Sequence, residues 1–118
     1  MKPIYEIERM KEFDYLLDEC IPTVVGNWMN TKGFKTSHIQ EFENLRGTSD
    51  IELRKIILDN APNIIFITTD RQNYFRSKRD GIYCIFIDLE ELMTDYVIKM
   101  IGSLQGQDLS KLFISKFK

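Results

Sequence analysis

Two continuous apolar runs, NIIFITT at residues 63–69 and GIYCIFI at residues 81–87, set the strongest limit on how this chain can fold. Neither is broken by regular polar alternation, so each reads as a strand covered on both faces inside a parallel sheet. The segments around them carry helical periods. In CIPTVVGNWMNTKGF, Ile21, Val24, Val25, Trp28 and Met29 recur at the spacing of one helical face. Pro22 suits the first turn of that helix, and Gly33 suits the position just past its end. SDIELRKIILDN opens on Ser49 with Glu52 three residues later, a capping box, and Leu53, Ile56 and Ile57 form its apolar stripe. Ala61-Pro62 ends it, because the residue before proline is pushed out of helical space. A final helix from near Leu89 places Leu89, Leu92, Met93, Tyr96, Val97, Met100 and Ile101 on one face, with Asp88 and Glu91 as its cap.

FDYLLD at 13–18 reads as the first strand and FKTSHI at 34–39 as the second, while the polar residues 71–80 read as a loop. The predicted order is β–α–β–α–β–β–α, a three-layer α/β/α sandwich with a mostly parallel central sheet. The 118 residues suit one domain: a core over 13–104, an N-terminal arm over 1–12 and a C-terminal extension over 105–118. The apolar LSKLFISKF near the end is expected to offer packing surface for a homodimer.

Composition narrows the chemistry. No run approaches the roughly 18 apolar residues that mark a membrane span, and no signal-peptide pattern opens the chain, so a cytoplasmic protein is expected. Cys20 and Cys84 belong to no metal-binding spacing and read as reduced packing residues. His38 is the only histidine, so a histidine pair is impossible; it is expected to be structural. The net charge of −2 argues mildly against a general nucleic-acid coat. No GxGxxG or GxxxxGK[ST] phosphate loop occurs.

In open α/β sheets ligands gather outside the carboxyl ends of the strands. The predicted topology sends Asp18, Asp50 and Asp70 to that rim. Carboxylates converging without histidine or thiolate suit Mg²⁺ or Mn²⁺, hard ions that prefer oxygen ligands. Each also has an ordinary explanation. Asp70 can be a turn former, Asp50 sits in a capping box, and Asp88 caps the next helix. After Asp70, RQNYFRSKRD mixes Arg71, Arg76, Lys78 and Arg79 with Tyr74 and Phe75. Cations for phosphates and a ring for an unpaired base suit single-stranded RNA, with Tyr74 as the stacking residue and Phe75 turned to the core.

YLLDE, RGTSDIEL and IIFITTDRQNYF, in that order, resemble the PIN-like domains, in particular small stand-alone bacterial and archaeal members presumed to be toxins of toxin–antitoxin pairs. The resemblance covers roughly residues 13–88, about two thirds of the chain. It implies an endoribonuclease in which Asp18, Asp50 and Asp70 hold Mg²⁺ or Mn²⁺, with an antitoxin protein as partner. Where relatives often carry a further Asp two residues after the strand-end Asp, this chain has Gln72, followed by Asn73. Asn73 is assigned to the catalytic group as an aid to the metal-bound water. That departure motivates a second expectation, a silent PIN-like module that binds RNA or a partner protein. A receiver-like signalling domain fits less well, because Lys78 precedes the fourth strand instead of following it.

Overall fold

The computed structural model describes residues 4–105. The chain divides into two compact units, Met1–Ile87 and Asp88–Lys118.

The first unit holds the sheet. Strand β1 (Tyr15–Leu17) leads through helix α1 (Thr23–Thr31) to β2 (Thr36–His38). Helix α2 (Asp50–Asn60), β3 (Ile65–Thr68), α3 (Arg71–Arg79) and β4 (Tyr83–Phe86) follow. The four strands are all parallel in the order β2-β1-β3-β4. Register pairs Leu17 with His38 and Ile67, and Thr68 with Phe86.

Handedness distributes the helices. Right-handed crossovers that run from β1 to β2 in one direction and from β2 past β1 to β3 in the other must use opposite faces of the sheet. Accordingly, α1 packs Val25 and Met29 with Leu17, Ile21 and Ile67 on one face. On the other face, Leu53 and Ile57 of α2 join Met10, Leu16, Phe42 and Phe66 in the larger core. Tyr74 of α3 stacks against Phe86, on that same side. The three-layer α/β/α arrangement is therefore present.

Several expectations change in detail. Residues 71–80 are not a loop: α3 fills them, because parallel β3 and β4 need a crossover that a short turn cannot make. The helix escaped notice because its buried positions are Asn73 and Ser77, which give no apolar stripe. The stripe on α1 is only partly used. Ile21 is buried, but Val24 and Trp28 are 66% and 59% exposed. At Gly26, an added Cβ would come within 3.3 Å of Leu17 Cδ1, so the helix sits close on β1. The edge strand β4 is not covered on both faces, since Tyr83 and Ile85 are exposed. The N-terminal arm is tied in. Tyr5 N donates to Glu41 O at 2.7 Å, and Met10, within the 3₁₀ helix Ile7–Glu12, is fully buried.

In the second unit, α4 (Leu89–Gln105) begins as expected, with Asp88 Oδ1 accepting from Glu91 N at 3.1 Å. The expected dimer segment, residues 109–117, lies outside the described residues. Among the described residues, no helix is long and apolar enough to cross a membrane.

Candidate functional site

Strand order locates the site. Connections leave β1 toward β2 on one side and reach β3 on the other, so a crevice opens between the carboxyl ends of β1 and β3. Asp18 follows β1 and Thr68 ends β3; both are buried there.

Thr68 has one hydroxyl proton, and its direction can be deduced. Asp70 N donates to Thr68 Oγ1 at 3.0 Å, so the oxygen accepts on that side. Its proton goes to Asp18 Oδ2, 2.6 Å away. Asn73 Nδ2 donates to the same oxygen at 3.2 Å, and Glu19 N donates to Asp18 Oδ1 at 2.8 Å. These three neighbours present donors only, which matches an acceptor-only carboxylate.

Behind Asn73 stands Arg54, itself only 4% exposed on α2. Its Nη1 donates to Asn73 Oδ1 at 3.1 Å, and its Nε to Asp80 Oδ2 at 2.9 Å. Guanidinium can only donate and carboxylate can only accept, so the Asn73 amide, which carries both an acceptor and a donor, joins one to the other with both contacts satisfied. Asn73 is thus held with its oxygen toward Arg54 and its nitrogen toward Asp18. The hydrogen bond from Arg54 holds the Asp80 carboxyl below the usual carboxylate range, with Arg79, 3.3 Å away, adding to the effect.

The sequence-predicted residues are placed unevenly. Asp18 and the backbone of Asp70 meet through Thr68, and Asn73 reaches Asp18 directly. Asp70 does form the turn: its Oδ1 accepts from Gln72 N at 2.9 Å and Asn73 N at 3.2 Å and caps α3. Asp50 lies on the exposed first turn of α2, behind a Ser49 cap that accepts from Glu52 N at 3.2 Å. Among the described residues, no three His, Cys, Asp or Glu side chains lie grouped to hold a metal ion. The expected cage of Asp18, Asp50 and Asp70 is therefore not assembled in this structure. A Mg²⁺ ion commonly takes only one or two protein carboxylates and completes its shell with waters and substrate phosphates. Asp18 and Asp70 are the two carboxylates nearest such a donor set in chain position, but they are joined only by the backbone N–H of Asp70 through Thr68, while the Asp70 carboxylate caps α3.

Arg71, Arg76, Lys78 and Arg79 all lie on α3 and are exposed. The aromatic roles are exchanged relative to expectation. Tyr74 is half-buried between Phe86 and Phe75, at ring-centroid distances of 5.8 and 5.3 Å, whereas Phe75 is 61% exposed. A residue inward at 73 and 77 leaves position 75 on the outer side of a 3.6-residue helix.

His38 is structural. Its Nδ1 accepts from Gln40 N at 3.1 Å, so the proton sits on Nε2, which donates to Ile21 O at 2.6 Å. The Cys84 thiol is pushed up to about 11, chiefly by burial.

Sequence reasoning missed Thr68, Arg54 and Asp80. Thr68 was legible in principle as the strand-end residue whose side chain falls on the same face as Leu16 and Phe66. Arg54 lay between Leu53 and Ile57 on the inward side of α2, an unusual place for a cation without a partner. Nothing local marks Asp80, 26 residues from Arg54. Compared with known proteins, the chain matches no family model, no curated protein and no solved structure.

Proposed function

We propose that the chain is a metal-dependent endoribonuclease of the PIN-like type. The observation that carries this reading is the Asp18 carboxylate, buried in the crevice between β1 and β3 and met by donors from Thr68, Asn73 and Glu19. A carboxylate so fixed at a ligand-gathering edge is preorganised for a cation. Asp18 and Asp70 would hold Mg²⁺ or Mn²⁺, with Asp50 able to contribute from the first turn of α2. Such an ion, when bound, supplies an acidified water and offsets charge on the phosphate. Asn73 keeps the Asp18 carboxylate oriented. Arg71, Arg76, Lys78 and Arg79 would bind the phosphates of a single RNA strand.

The test is cleavage of a labelled single-stranded RNA by purified protein in Mn²⁺. Wild type should cut internally, and Asp18→Asn and Asp70→Asn should each reduce the rate by a hundredfold or more, on the order of what a lost electrostatic contact costs in catalysis. Identical background from all three proteins sinks the reading.

A second reading has its own motivation. Asn73, a donor, faces Asp18 where another carboxylate would help a cation, and three acidic side chains are not grouped among the described residues. This favours a silent module that binds RNA or a protein through the same edge. Calorimetry separates the two: no heat of Mn²⁺ binding at millimolar concentration selects the silent module.

A further inference from the structure

The outer face of α3 combines features that the crevice does not need. Phe75 is 61% exposed at the middle of a nine-residue helix, RQNYFRSKR, that contains no acidic residue. Its helical neighbours are Arg71 four residues before, Lys78 three after and Arg79 four after, with Arg76 exposed on the adjoining side of the helix. The chain as a whole carries a net charge of −2, so this face opposes the sign of the molecule that bears it.

The ring is also backed by a fixed layer. Phe75 leans on Tyr74 at 5.3 Å and 57°, and Tyr74 leans on Phe86 at 5.8 Å. Cations close this layer at both ends: Arg71 lies 5.4 Å over the Phe86 ring, and Lys78 Nζ 5.6 Å over Tyr74. Arg79 touches Asp80 yet remains 69% exposed. An outward aromatic that is supported from below and ringed by cations loses little freedom when a flat partner settles on it.

We propose that this face is a single-strand track in which an unpaired base stacks on Phe75 while Arg71, Arg76 and Arg79 hold the phosphates to either side. The occupant is a single strand of RNA, and the identification of that polymer rests on the reading above. Charge complementarity selects a polyanion. The exposed ring selects one with accessible π-faces, which excludes inorganic polyphosphate, and a duplex keeps its bases stacked out of reach. The reading also moves the stacking role from Tyr74, which the fold uses as support, to Phe75.

The experiment is fluorescence anisotropy with a labelled single-stranded oligoribonucleotide in EDTA, where no metal-dependent cleavage can interfere. Phe75→Ala should weaken binding by roughly tenfold, and Phe75→Trp should restore it, as one base–aromatic stack is worth about that much. Phe75→Ala should leave the melting temperature and the salt dependence of binding unchanged. Arg76→Gln with Arg79→Gln should flatten that salt dependence instead. Binding of inorganic polyphosphate should not change in Phe75→Ala. Equal RNA affinity of wild type and Phe75→Ala overturns the proposal, as does an equal loss for RNA and polyphosphate. A dimer that Phe75→Ala converts to monomer overturns it too, by assigning the ring to contacts between copies. Because binding is read without metal, a protein that binds but never cuts refutes only the nuclease. One that cuts RNA while ignoring Phe75→Ala refutes only the track.

Discussion

The hydroxyl of Thr68 donates to Oδ2 of Asp18 across 2.6 Å, joining the carboxyl ends of the two central strands by a side-chain bond where the backbone ladder runs out. Thr68→Val keeps the shape and removes the proton. Asp18 then loses one of its three donors, and Asp70 N loses its acceptor. Denaturant unfolding should show a loss of about 1–3 kcal/mol, the cost of leaving buried polar groups unpaired. A loss within a few tenths of wild type would mean that water replaces the hydroxyl without cost.

Asn73→Asp asks whether the crevice accepts a cation. The new carboxylate would face Asp18 along the present 3.2 Å contact, while keeping an acceptor for Arg54. Like charges at that range repel, so the melting temperature should fall in EDTA. It should recover in millimolar Mn²⁺ by more than wild type gains. Equal response of the two proteins to Mn²⁺ would place the cation elsewhere.

Acid should act on the bond between Arg54 and Asp80. The folded-state carboxyl of Asp80 lies below its ordinary value of 3.8, so its contribution is complete above that value. It is lost as pH falls through the lower, folded-state value. Asp80→Asn should therefore be less stable than wild type at neutral pH, and the difference should close as pH falls from 3.8 through the lower, folded-state value. A difference that persists at full strength through that acid range would remove the ion pair from the account.

The two cysteines should separate under alkylation. Cys84 is half-buried and its thiol is pushed up to about 11, so at pH 8 its thiolate fraction is very small. Cys20 is exposed beside the crevice, with its sulfur 3.5 Å from Thr69 N. Iodoacetamide followed by peptide mapping should find Cys20 modified well before Cys84. The reverse order would show that burial does not govern thiol reactivity here.

Replacing His38 by Phe should cost about 1–3 kcal/mol for each of the two backbone groups it serves, Ile21 O and Gln40 N. Thermal or urea unfolding measures it, and a change below about 0.5 kcal/mol would be too small for one buried and one part-buried bond.

The parts of the fold legible in the sequence were those driven by apolar burial or capping. IIFIT had to be an inner strand, and Ser49 with Glu52 did mark the start of α2. The helix α3 was illegible because it docks through Asn73 and Ser77, so its inward side reads as polar as a loop. Asp18 was recognisable from its place at a strand end. Asn73 was singled out as well, but Thr68 and the Arg54 behind Asn73 were not, since only tertiary contacts spanning 50 and 19 residues bring them in. Asp50 was legible only as part of the first turn of α2, behind the Ser49 cap, and that local role is the one its surroundings show.

The polar seating of α3 has a consequence for motion. A helix whose buried residues are Asn73 and Ser77 gains little from apolar burial there. Since the Ser77 hydroxyl has no hydrogen-bond partner among the described residues, its hold rests on the Asn73 bonds to Asp18 and Arg54 and on Tyr74 against Phe86. Native-state hydrogen exchange should find its amides opening as one cooperative step, below the cost of global unfolding. Each such opening withdraws the cationic face and the Asn73 donor to Asp18 at the same instant, making availability of the whole crevice a single kinetic event.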